Sequence, residues 1–144
     1  MLALAPVALT ELDLLWRLLA CLGAGLLLGA ERELRGKPAG ISTQSLIIGA
    51  AALFTTLALR FAGDDGARIV AQVVVAVGFL GGGIIIKGND GAVANVTTAA
   101  SVWFAAAIGT TIGYGWFAAA GMAVAFAVVV TRIPHLPRSR AKRE

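Results

Sequence analysis

Long stretches without charge dominate this chain, and short polar breaks separate them. The clearest runs from Ile69 to Ile86, eighteen residues with no charge, which is long enough to cross a bilayer as a helix. Its valines and isoleucines would also suit a buried strand. An open strand facing lipid is not viable, however, and the length is excessive for one strand. In a water-exposed helix, Gly78, Gly81, Gly82 and Gly83 would each cost roughly 0.8–1 kcal/mol against alanine. In lipid they let another helix approach closely, and Gly78 with Gly82 has the small-xxx-small spacing of helix contacts. The pattern predicts a central, tightly packed transmembrane helix.

The remaining spans follow from the same pattern. Only thirteen uncharged residues lie between Arg17 and Glu31, so the first span must extend toward Leu12. Asp13 and Arg17, four apart on a helix, can pair near the interface, where Trp16 also fits. GAERELRGKPAGIST (29–43) reads as a compact polar hairpin whose Gly36, Pro38 and Gly40 end helical structure. A second span covers Ser42 to Leu59, and the acidic turn GDDGAR (63–68) leads into the third, which ends in the turn KGNDG (87–91). Residues 91–131 carry no charge. As one helix they would run roughly 60 Å, twice the ~30 Å hydrocarbon core. They must fold back, and Gly113-Tyr114-Gly115-Trp116 supplies the turn, giving spans near 96–112 and 116–132.

Composition agrees with this partition. The AVILMFWYC set makes up 58% of 144 residues and there are 18 glycines; soluble domains hold ~45–50% apolar residues with glycine included. The fold class expected is an all-α polytopic transmembrane bundle of about five spans. Residues 1–133 form the membrane domain and 134–144 a basic cytoplasmic tail. The single cysteine, Cys21, allows no disulfide within one chain and reads as a small apolar residue. Residues 1–10 lack a basic n-region, which argues against a cleaved signal peptide.

The formal charge of +4 does not point to nucleic acid, because the basic residues concentrate at 32–37 and 132–143. That distribution fits the rule that lysine and arginine stay in the cytoplasm. With the 31–42 loop inside, five spans put the N-terminus outside and the C-terminus inside, so the charge rule and the span count agree.

Enzyme chemistry finds little support. His135 is the lone histidine and lies between prolines in the tail, with no cysteine or carboxylate at metal-ligand spacing. Gly36-Lys37 resembles the end of a phosphate loop, but Pro38 stands where serine or threonine is needed. What remains is polar residues at membrane depth, which are expensive and mark candidate sites. Gln72 is either a structural interhelical bond or a functional group. Arg68 either anchors at the interface or pairs with Asp65. Glu31, followed by Arg32 and Glu33, is either a solvated cluster or a site. Asn95, Thr97, Thr98 and Ser101 open the fourth span, where hydroxyls glue helices or line a polar cavity. Asp65 and Glu31 cannot share an ion across a whole spanning helix. Glu31 with Asp90 is geometrically allowed without support from spacing. There is no strong metal signature, no cofactor is expected, and Mg²⁺ is left open.

Three blocks together resemble a known family. GAERELRGKPAGIST is similar to the MgtC/SapB signature G-L-E-R-E-x-x-G-K-P-A-G-L-R-T-H. ARIVAQVVVAVGFLGGGIII (67–86) is similar to its second block, D-P-x-R-I-A-A-Q-x-x-x-G-I-G-F-L-G-A-G, and VANVTTAASVWFAAAIG (93–109) to its third, V-x-G-L-T-T-A-A-T-L-W-x-x-A-A-I-G. The family's polar signature falls on Glu31, Arg32, Glu33, Asp65, Arg68, Gln72, Thr97 and Thr98. Ser42 and Gln44 replace an arginine and a histidine of the pattern, Gly66 a proline, and Asn95 a glycine.

The resemblance implies a bacterial inner-membrane protein associated with magnesium limitation and, in pathogens, survival inside macrophages. It implies a regulator of membrane partners such as the proton-translocating ATP synthase, and a short form without the cytoplasmic C-terminal domain of longer members. The expectation is therefore a non-enzymatic homo-oligomer, packed through the glycine-rich third span and acting within the lipid bilayer on a partner. The rival is a Mg²⁺ or other cation transporter with Glu31, Asp65, Arg68, Gln72 and the Thr97–Ser101 face along its path. A third reading is a lipid-surface anchor using Arg138, Arg140, Lys142 and Arg143.

Overall fold

Thr10 starts the first helix by a reciprocal cap: its hydroxyl accepts from the Asp13 N–H and the Asp13 carboxylate accepts from the Thr10 N–H at 3.0 Å. The structure, a computed structural model, describes residues 10–61, 63–86 and 94–133, without the side chains of Asp64 and Ile86. Five α-helices follow in order: α1 (Glu11–Leu34), α2 (Ile41–Phe61), α3 (Gly66–Ile86), α4 (Val96–Gly113) and α5 (Phe117–Arg132), with a short 3-10 turn at Gly63–Asp65 before α3. Four are long and apolar enough to cross a membrane. The fifth, with 16 residues, is about 24 Å long. The Lys87–Gly91 turn, Asp90 and the 134–144 tail, including His135 and the basic residues that follow it, lie outside the described residues.

Two glycines set the helix ends by the same device. After α1, Gly36 (φ +60°) donates to the Glu33 carbonyl at 2.9 Å and Lys37 to the Arg32 carbonyl at 3.0 Å. After α4, Gly115 (φ +83°) donates to Ile112 at 2.8 Å and Trp116 to Thr111 at 3.1 Å. Both are Schellman motifs, which need a left-handed residue one position past the cap. Because the first lies at Gly36 rather than at Gly29, Glu31, Arg32 and Glu33 form the last turns of α1. The hairpin expected over 29–43 is correspondingly shorter.

The centre of the bundle is α2 with α4, and α1 packs on an adjoining face of α2 and also touches α4. Glycines make these contacts close. A Cβ on Gly25 would collide with Ser45, and one on Gly29 with the backbone of Ile41. On α4, a Cβ on Gly109 would strike the Ile48 carbonyl and one on Gly113 the side chain of Thr55. Both pairs have four-residue spacing, so two GxxxG faces clasp α2. Ile48, Ala52, Ile108 and Cys21 fill the space between.

The central position expected for the third helix is corrected. α3 lies at the edge, against α4 and α2, and is the least buried of the four long helices. A Cβ on Gly81 would meet the Ala99 side chain at 3.7 Å, but one on Gly78, Gly82 or Gly83 would have no neighbour within 4 Å. The order of hydropathy among the four helices, α3 above α1, α2 and α4, is the reverse of their order of burial. Lipid solvates large apolar side chains as well as a protein core does, so the small-residue helices go inside.

The Asp13–Arg17 pair is corrected too. Asp13 is held by Thr10, and Arg17 turns inward, where its Nη1 donates to the carbonyls of Ile112 (2.9 Å) and Gly113. Those carbonyls end α4 and carry the negative pole of its dipole, so a buried cation is favourable there. Replacing Arg17 with methionine removes their charged donor, leaving Ile112 to the Gly115 N–H and Gly113 to the Thr56 hydroxyl, and is expected to cost about 1.5–3 kcal/mol in detergent unfolding titrations. Gly109→Ala is expected to lose about 1–3 kcal/mol by overpacking. Gly23→Ala, with nothing within 4 Å, should hold or gain stability by the same measurement.

Candidate functional site

α1 runs antiparallel to α2 and α4, which are parallel to each other, and this gives the bundle two ends. Arg17, Phe61, Asp65 and Gly113 share one; the C-terminus of α1, the N-terminus of α4 and the C-terminus of α5 share the other, where buried polar groups converge. Arg32 is 4% exposed and Gln44 1%. Arg32 Nη2 donates to Thr98 Oγ1 and, at 3.4 Å, to the Pro38 carbonyl. Gln44 Nε2 donates to Ser101 Oγ at 3.4 Å, and that hydroxyl donates to the Thr98 carbonyl at 2.8 Å. Glu31 stands 2.9 Å from Arg35 Nε, and Arg35 Nη1 donates to the Thr131 carbonyl at 2.6 Å. The result is a polar web tying α1 to α2, α4 and α5.

The web is incompletely satisfied. Among the described residues, Arg32 Nε, Gln44 Oε1 and Ser45 Oγ are buried without a hydrogen-bond partner, and Glu31 Oε1 has its ion pair but no hydrogen bond. Groups left this way lose stability unless something else reaches them. Two cavities adjoin Glu31, Arg32 and Gln44. One of about 150 Å³ runs between α1, α4 and α5, with Phe104, Phe126 and Val130 on its walls and Glu31, Arg32 and Gln44 on its floor. The other, about 360 Å³, is lined by Arg32, Arg35, Lys37 and the first turn of α4.

Of the residues singled out on sequence, Glu31, Arg32, Thr97, Thr98, Ser101 and Asn95 meet at this end. Glu33 sits beside it and serves the backbone instead, since its Oε1 accepts from the Ile41 N–H at 2.8 Å and so caps α2. Asp65, Arg68 and Gln72 do not join. Asp65 and Arg68 form an exposed pair at 3.1 Å at the far end, and Gln72 is exposed on α3. Gln44, Arg35, Lys37 and Thr131 belong to the site and were not among the candidates. Helical spacing could have found Arg35, four residues after Glu31. Among the described residues no three His, Cys, Asp or Glu side chains stand close enough to hold a metal.

A family model described as the MgtC family matches residues 18–136. The chain belongs to the MgtC family. It is similar to MgtC of Salmonella typhimurium strain LT2, 40% identical over 100 residues, covering 69% of this chain and 43% of the relative. YhiD of Escherichia coli K12, named as a candidate magnesium transporter, is 43% identical over 109 residues, covering 69% and 50%. MgtC of Brucella abortus is 37% identical over 119 residues, covering 79% and 50%. The chain thus spans about half the length of the curated relatives it matches. No solved structure matches it.

Two departures from the MgtC/SapB pattern are conformationally cheap. Asn95, where the pattern has glycine, lies at φ +62°, a left-handed region asparagine tolerates better than most residues. Gly66, where it has proline, is the first residue of α3, and a Cβ there would stand 3.1 Å from the Ala58 carbonyl, which glycine avoids. Gln44, in place of histidine, is different: it puts a buried amide on the floor of the smaller cavity of this MgtC family member. Thr98→Val keeps the shape but removes one of the two acceptors of Arg32, and should cost about 1.5–3 kcal/mol by thermal unfolding in detergent. Thr111→Val, whose hydroxyl bonds only within its own helix, serves as the control and should change little.

Proposed function

We propose that this chain serves magnesium-linked homeostasis in the bacterial inner membrane as a regulator, binding other transmembrane helices, copies of itself among them. The outward face of α3 carries this reading. Gln72, Phe79 and Gly83 share that face at helical spacing and are all exposed, with the unoccupied Gly78 and Gly82 beside them. An amide at membrane depth gains from a partner across a helix contact, and bare glycines admit a neighbouring backbone. The resemblance makes the proton-translocating ATP synthase the first partner to try. In this reading the arginine-rich end faces the cytoplasm, following the charge rule.

The name of YhiD keeps transport in view, but the geometry offers a single chain little help as a path. Glu31 is tied to Arg35 at one end, while Asp65 and Arg68 pair on the surface at the other. Polar residues between them on one wall would be needed, and Gln72 points away.

Mg²⁺ uptake into liposomes holding only this protein is expected to stay at background, with a Glu31→Gln, Asp65→Asn variant alongside. Uptake that the variant loses would replace the regulator by a transporter. Gly78→Leu with Gly82→Leu should lower the particle mass in detergent while leaving helix content intact; an unchanged mass would remove α3 from the interface.

A further inference from the structure

The larger cavity combines two features that repel each other unless an anion lies between them. α4 begins at Val96 with Asn95 as its cap residue and no side-chain cap. The Val96, Thr97 and Thr98 amides thus lack a capping partner among the described residues, and the helix presents the positive end of its dipole. Against that end stands Arg32, buried, with its Nε unpartnered. Arg35 and Lys37 line the same cavity. Glu31 offsets one of these three cations from behind, through Arg35. Two positive charges, a helix N-terminus and the hydroxyls of Thr97 and Thr98 are left facing one space. Arg17, at the other end of α4, meets the two carbonyls that end the helix, whereas Arg32 has one carbonyl at 3.4 Å and a hydroxyl and faces the positive pole.

The second cavity says what kind of anion. It shares Arg32, Thr97 and Thr131 with the first and continues from it, one to two turns deeper along α4 and α5. Its walls there are Ala100, Phe104, Phe126, Ala127 and Val130. An apolar cavity of about 150 Å³ accommodates a guest of roughly six carbons. We propose that the two cavities form one site for an anionic phospholipid. Its phosphate is held by Arg32, Lys37 and the first turn of α4, and the start of one acyl chain lies between α4 and α5. Basic pockets between transmembrane helices bind anionic headgroups in this way. In a bilayer the chain is already in hydrocarbon, so the apolar cavity supplies position and the phosphate contacts supply affinity. The site is independent of the α3 face.

The experiment is native mass spectrometry of the full chain in detergent, titrated with phosphatidylglycerol, with phosphatidylcholine of the same acyl chains, and with inorganic phosphate. One phosphatidylglycerol per chain is expected, preferred over phosphatidylcholine. Lys37→Gln and Thr97→Val each change an exposed side chain. Each should weaken phosphatidylglycerol binding by roughly fivefold with no change in the melting temperature of the lipid-free protein. Ala100→Leu, which fills the apolar cavity, should abolish the advantage of phosphatidylglycerol over inorganic phosphate. Equal binding of phosphatidylcholine, or full affinity in both polar variants, would overturn the site. Inorganic phosphate binding as tightly as the lipid, indifferent to Ala100→Leu, would overturn the lipid assignment.

Discussion

Everything in this bundle depends on how closely α1 and α4 can approach α2. Gly25 and Gly29 on one side, and Gly109 and Gly113 on the other, bring backbone to within reach of backbone, where any larger residue would hold the helices apart. Without a hydrophobic force between helices in lipid, such contacts are a main source of cohesion. They also fix the rest. With α1 and α4 both seated on α2, Arg17 reaches the end of α4 and Arg32 reaches its beginning, so one helix binds both poles of another through two arginines fifteen residues apart. The polar end owes its geometry to glycines that carry no chemistry.

Much of the fold was legible because its signals are local. A run without charges, a glycine past a helix end and a polar break can each be read within a few residues. The spans, the turns at Gly36 and Gly115 and the family follow from them. The arrangement of the spans was not legible by the same route. Hydropathy singled out α3, and hydropathy in a membrane marks what faces lipid rather than what lies inside. The glycines that do pack, at 25/29 and 109/113, have the same spacing as Gly78 and Gly82. They sit in less apolar helices, where hydropathy gives no hint of them.

The candidate site shows a similar division. Glu31, Arg32, Thr97 and Thr98 stand out as polar groups at membrane depth, and the fold brings them together. Asp65, Arg68 and Gln72 stand out for the same reason, yet the edge position of α3 keeps them apart from the others. Gln44 belongs to the site through its place on α2 opposite Ser101, a contact across 57 residues that no local pattern encodes. Asp13 and Arg17 illustrate the opposite error, since a pair ideal by spacing gave way to a capping hydroxyl and two distant carbonyls.

The burial of Arg17 also orders events during synthesis. Its acceptors at the end of α4 are made some 95 residues after it, which at roughly 5–20 residues per second is an interval of about 5–20 s. During that time α1 holds a cation with no partner, and its long side chain must reach up to interfacial water to keep the charge solvated. The guanidinium can turn inward to those carbonyls only once α4 is in place. The contact of Arg17 with the end of α4 therefore ties the final packing of the first helix to the synthesis of the fourth.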